Sequence, residues 1–218
     1  MIKVFYNGKD FKKVEADVKK AFDFVDKFFL IKTGKIIVRV YHNRLDFNKF
    51  LNRKTEIWLV ANASNNNEID ILNPLAMKNE SSHSENEFLT ILKHEFTHIF
   101  INNLAKGADV PLWLNEGLAA YVAKQHQRSA EFVCCENGFS QKLDKPREWN
   151  KNIDFGAYSI SALFVSFLIK KYSLAKIKQL ISSLDKHYSY NKFEKIFLRI
   201  YQISFKEVEN EFIIKVNK

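Results

Sequence analysis

The chain reads as an α+β protein: a small mixed N-terminal sheet with a helix, followed by a mostly helical C-terminal part. Three observations predict this. Short runs with period-two alternation or β-branched residues cluster before residue 75. Beyond Pro74 almost every segment has apolar residues three or four apart, the helical period. A polar stretch, NESSHSENE, separates the two regimes and places the subdomain boundary at 1–84 and 85–218.

The elements follow in order. IKVFY (2–6) is a short strand. Residues 11–31 place Phe11, Val14, Val18, Phe22, Val25 and Phe29 on one side of an amphipathic helix, closed by Thr33-Gly34. KIIVRVY (35–41) alternates and is rich in branched residues, a strand; LDFNKFLN (45–52) is a short helix. EIWLVAN (56–62) and EIDIL (68–72) are strands joined by the polar turn SNNN. Helices are expected at 85–105, 111–127, 156–172, 174–185, 190–201 and 204–216. Ser84 and Glu87 have capping-box spacing and start the first of these.

With 46% hydrophobic residues and 20 Phe in 218, the chain can bury a sizeable core. No run reaches the roughly 18 to 20 uncharged apolar residues of a membrane span, so no membrane partner is expected. The N-terminus lacks signal-peptide features, which points to the cytoplasm. The two cysteines, Cys134 and Cys135, are adjacent, so they make neither a disulfide framework nor a C-x-x-C metal site. The net charge of +9 comes from scattered lysines without a nucleic-acid-binding motif. It reads as solvated helix faces, and no specific nucleic-acid partner is expected. Oligomeric state has no signature here.

Chemistry concentrates in ILKHEFTHIFIN (91–102). His94 and His98 stand at i and i+4, which stacks two imidazoles on one helix face, about one turn apart. So placed, they can share one metal ion, with Glu95 rotated roughly 100° to stand beside it rather than ligate. A third ligand is available in PLWLNEGLAAYV (111–122). Glu116 sits there among Trp113, Leu114, Leu118 and Tyr121, where an unpaired carboxylate would be costly and a cation welcome. The 18 residues between His98 and Glu116 let the first helix end, turn at Gly107 and return. Gly117 is expected to let these two helices approach closely.

HEFTH followed by WLNEGLAAY resembles the gluzincin metallopeptidases, most closely the compact bacterial, M1-aminopeptidase-like branch. The resemblance spans residues 88–123. It implies a zincin-like fold with an active-site cleft between the two subdomains. It also implies one Zn²⁺ per chain on His94, His98 and Glu116, with Glu95 as general base. Ala120 stands where thermolysin-like members carry an acidic residue, and the G-x-M-E-N amino-terminus clamp of the aminopeptidases is absent from 56–72. Endo- versus aminopeptidase activity is therefore open.

The expected chemistry is peptide hydrolysis: Glu95 takes a proton from the attacking water and passes it to the leaving nitrogen. The resemblance implies a tyrosine oxyanion donor on a downstream helix. Tyr158 is the candidate, with Tyr121 and Tyr172 as competitors. A peptide or protein substrate would pair with an edge strand, assigned to Ile69, Asp70 and Ile71; a charge-protected edge fits them equally. Asn115 could orient a ligand or merely sit in the first helical turn. His42, His83, His126 and His187 have no partner at ligand spacing. The alternative reading is a zinc-binding pseudo-enzyme or peptide-binding module, against which the intact Glu95 argues.

Overall fold

A computed structural model describes residues 1–64, 66–125, 138–187 and 189–216. Among these the protein is α+β, with a four-stranded N-terminal mixed sheet and eleven helices. Two compact units divide the chain, Met1–Phe100 and Ile101–Lys218. Cys134, Cys135 and His126 lie outside the described residues.

The first unit opens with β1 (Ile2–Phe5), α1 (Phe11–Phe29), β2 (Ile36–Tyr41) and α2 (Arg44–Leu51). It continues with β3 (Ala61–Ser64), β4 (Glu68–Leu72) and α3 (Pro74–Glu80). The strand order is β1-β2-β4-β3, with β1 and β4 parallel to β2 and β3 antiparallel to β4. Helix α1 buries Val14, Val18, Ala21, Val25 and Phe29, the stripe its period dictates. It stops at Leu30, not at Gly34: Leu30 takes the left-handed conformation (φ 51°) and donates its N–H to Asp26 O.

Two expectations for this unit are corrected. Residues 56–59 form a turn, with Leu59 N–H donating to Glu56 O, and the strand begins only at Ala61. Arg44 is the cause. Its guanidinium donates to the carbonyls of Glu56 (2.9 Å), Ile57 (3.0 Å), Leu59 (3.0 Å) and Glu80 (2.8 Å), and to Thr55 Oγ1 (2.8 Å). Carbonyls held by this fork cannot run in a ladder.

The second correction concerns Ile69, Asp70 and Ile71. They lie in β4, which pairs with β2 on one side and β3 on the other, so they form an interior strand and not an edge. Ile69 and Ile71 are fully buried. The charges that suggested an edge are neutralised on one sheet face. Arg39 grips Glu68 through two nitrogens (2.9 and 3.0 Å), and Tyr41 donates to Asp70 Oδ1 at 2.8 Å.

Pro74 starts a helix that the sequence reading did not assign, and Asn73 caps it by accepting from Ala76 N–H at 2.6 Å. A 3-10 turn at Glu85–Glu87, with the Ser84–Glu87 capping box formed, then leads into α4 (Phe88–Ala105). Phe22 of α1 packs on Phe96 and Phe100 of α4 at 5.7 and 5.9 Å, and Phe29 stacks on Phe100 at 5.3 Å.

The second unit holds the rest of α4, then α5 (Leu112–Ala123), α6 (Phe139–Leu143), α7 (Pro146–Asn152) and α8 (Ala157–Tyr172). It ends with α9 (Leu174–Ser182), α10 (Tyr190–Tyr201) and α11 (Phe205–Val216). Its core is aromatic: Trp113 meets Phe164, Phe205 and Phe193 at 5.2, 5.7 and 6.0 Å. Helices α6 and α7 were not expected. The first depends on a distant side chain: buried Glu209 of α11 accepts from Gly138 N–H (2.7 Å), Ser140 N–H (3.1 Å) and Ser140 Oγ (2.6 Å). Asp144, at the end of α6, in turn accepts from Leu112 N–H at the start of α5 (2.7 Å).

Candidate metal centre

Helix α4 is apolar nearly all round, as a helix buried on every side must be. Leu92, Phe96, Ile99 and Phe100 are fully buried. Thr97, also fully buried, satisfies its hydroxyl by donating to Lys93 O at 2.8 Å. Against this background the polar residues stand out: His94 and Glu95 are each only 9% exposed, and His98 is half-buried.

The i,i+4 spacing brings the His94 and His98 rings to 4.7 Å between centroids, at 77° to each other. Glu116 occupies the fifth position of α5, half-buried. One donor atom from each of His94, His98 and Glu116 lies within 4.8 Å of the others, the one group of three or more metal-ligating side chains among the described residues. Bonds of about 2.0–2.2 Å in tetrahedral array put ligand atoms about 3.3 Å apart. The three donors therefore need only a small inward movement to close on one ion. Two imidazoles and a carboxylate fit a borderline divalent cation. Glu95 adjoins the first histidine and lies outside this donor set.

Gly117, beside Glu116, permits a close helix approach, but the partner is α8 rather than α4. A β-carbon at Gly117 would fall 2.7 Å from the Ser161 carbonyl carbon and oxygen. Tyr158 sits one turn before Ser161 on α8, half-buried, its ring edge-on to Trp149 at 5.0 Å. Tyr172 ends the same helix, about 16 Å beyond Ser161 at 1.5 Å per residue. It packs on Tyr201 at 5.0 Å. Of the two, Tyr158 lies nearer along α8 to Ser161, the residue packed against Gly117. Asn115 and Tyr121 are half-buried on α5.

The reading of His83 as a surface or satisfied residue holds. His83 makes hydrogen bonds to Trp58 O (3.0 Å) and Glu87 Oε1 (3.1 Å), joining the 53–60 loop to the capping box of α4. Burial alone would raise the Glu87 pKa. Hydrogen bonds from Ser84 and His83 outweigh it and hold the carboxyl below its usual range. The signal was present as His83 and Glu87 at i,i+4.

No protein-family model matches the chain, and no curated protein matches it significantly. No single helix among the described residues is long and apolar enough to cross a membrane.

Proposed function

We propose that the protein is a zinc-dependent peptidase of gluzincin type. The observation that carries this reading is the convergence of His94, His98 and Glu116, with Glu95 next to the first ligand on a buried helix. A site that only bound metal would have no use for a second carboxylate there. Zinc, when bound, supplies Lewis acidity toward a peptide carbonyl and makes a water nucleophilic near neutral pH.

The remaining roles fall to the chain's own residues. His94 and His98 hold the metal through neutral imidazoles. Glu116 contributes the one anionic ligand, so the site keeps a net positive charge. Glu95 receives the proton of the attacking water and delivers it to the leaving nitrogen. Tyr158 donates a hydrogen bond to the developing oxyanion. Among the described residues β3, unlike β4, pairs with one strand alone, and a substrate backbone would add at its outer side.

The test has two readings. Elemental analysis of protein purified with zinc supplementation is expected to give about one zinc per chain; its absence removes the metal reading. A peptide-library digest then compares the zinc-loaded protein with Glu95→Gln. We expect cleavage that Glu95→Gln lowers by about 10²–10⁴-fold without loss of zinc. Equal cleavage by both excludes Glu95 as base. Zinc binding without cleavage by either favours the binding-module alternative.

A further inference from the structure

Helix α5, which carries Glu116, begins without a cap of its own. Its N-cap residue, Pro111, makes no side-chain hydrogen bond to the helix. The Pro111 carbonyl accepts from Leu114 N–H and Asn115 N–H, at 2.9 Å each. The amide of Leu112, the first helical residue, has no carbonyl behind it in the ladder. A carboxylate from outside the helix takes it: Leu112 N–H donates to Asp144 Oδ1 at 2.7 Å. We infer that Asp144 is a positioning residue for Glu116, an inference that rests on the metal-site reading proposed above.

The path from this borrowed cap to the ligand is short. In an α-helix each amide donates to the carbonyl four residues back, so the helical ladder pairs Glu116 N–H with the Leu112 carbonyl. Leu112 thus stands between Asp144 and the ligand, bonded to each through one of its two backbone groups. Glu116 lies about 6 Å further along the axis, one turn on and on the same face. Loss of a cap loosens the first turn of a helix. A ligand at the fifth position is close enough to that end to move with it.

Asp144 is itself tethered. Its N–H donates to Ser140 O at 3.0 Å. Ser140 is fully buried and gives both its N–H and its hydroxyl to Glu209 Oε1, at 3.1 and 2.6 Å. Glu209 is 2% exposed and accepts from Gly138 N–H with its other oxygen. Phe139 sets α6 against Phe164 and Phe212, at 5.4 and 5.9 Å. A continuous series of hydrogen bonds therefore runs from Glu209 on α11 through Ser140, Asp144 and Leu112 to Glu116. On the far side of the ligand, Gly117 is pressed against Ser161. Glu116 is held between these two fixed points.

The experiment measures the zinc dissociation constant of the full chain by competition with a chromophoric chelator. It also records the visible spectrum of Co²⁺ bound in place of zinc, which reports ligand geometry. We expect Asp144→Ala to weaken zinc binding about 10–100-fold and to alter the Co²⁺ spectrum. Asp144→Asn keeps an oxygen acceptor for Leu112 N–H and should restore both. Asp144→Leu keeps the shape without the acceptor and should match alanine, so it reads the same loss if the alanine variant does not fold. Asn73→Ala removes the cap of α3, which carries no proposed ligand; it should lower stability and leave zinc affinity unchanged. In a Glu116→Ala background, Asp144→Ala should cause no further loss, because the path ends at Glu116.

Unchanged zinc affinity in the acceptor-less variants overturns the inference. An undiminished loss in the Glu116→Ala background does so too, since it assigns Asp144 to general stability. Failure of Asp144→Asn to recover affinity excludes the hydrogen bond as the cause. Absence of zinc from the wild type would remove the metal reading itself, a result seen before any variant is compared.

Discussion

Gly117 of α5 and Ser161 of α8 touch so closely that a β-carbon at Gly117 would sit 2.7 Å from the Ser161 carbonyl group and 2.9 Å from its Cβ. The obstacle is backbone, which cannot rotate away. Gly117→Ala is therefore expected to force α5 and α8 apart and cost about 1–3 kcal/mol, an overpacking penalty. Because Glu116 moves with the helix, metal affinity should fall as well. Urea unfolding together with metal titration checks both; an unchanged variant would mean the helices separate freely.

Ligand removal should leave a thermodynamic signature. Alanine at His94, His98 or Glu116 is expected to cost more metal affinity than the 10–100-fold typical of outer-shell changes. Zinc at about 100 times its dissociation constant should stabilise the wild type by roughly 2.7 kcal/mol. Chelation should remove that stabilisation from the wild type and do nothing to His94→Ala. Calorimetric melts with and without chelator make the comparison.

Asp70 should give the first unit a pH-dependent stability. Burial pushes its carboxyl above the ordinary value, although hydrogen bonds from Tyr41 and Arg39 pull the other way. A carboxyl with a raised folded pKa holds its proton more tightly when folded, so stability falls with rising pH. The contribution is full below the unfolded pKa of about 3.9 and is lost as pH rises through the raised folded value. Asp70→Asn keeps an acceptor for the Tyr41 hydroxyl and should gain on the wild type between acid and neutral pH. Asp70→Ala leaves that hydroxyl unpaired and should cost about 1–3 kcal/mol. Urea unfolding across that range checks the sign; the opposite trend would mean the Arg39 pairing dominates.

Arg44 holds the 53–60 loop by a planar fork that lysine cannot reproduce. Arg44→Lys is expected to cost about 1–3 kcal/mol and to speed tryptic cleavage at the exposed Arg53 and Lys54. Limited proteolysis followed by mass spectrometry locates the cut. Unchanged resistance there would show that the loop stands without the fork.

What could be read from the sequence was local. The helical stripe of α1, the Ser84–Glu87 capping box and the histidine spacing are each set by neighbours within a few residues, and each appears as expected. Errors arose where a distant group decides. Glu68 and Asp70 look solvent-directed until Arg39 and Tyr41, some thirty residues away, are placed opposite them. The strand at 56–62 is displaced by Arg44, whose side chain takes the carbonyls a ladder would need. A glycine announces a close approach but not its partner, so Gly117 was assigned to α4 when Ser161 of α8 faces it. Glu116 was picked out because a carboxylate in an apolar helix is costly and demands a reason, and a donor atom of it does converge with those of His94 and His98.

Glu209 also sets an order of events during synthesis. The first unit has all its strands once Leu72 is made, and their pairings need no later residue. Helix α6 waits much longer: the carboxylate that receives its opening amides lies 69 and 71 residues further along. At roughly 5–20 residues per second, translation leaves Phe139 and its helix without that anchor for about 4–14 seconds. For that interval the nascent chain carries a fully paired four-stranded sheet ahead of an unfinished aromatic core.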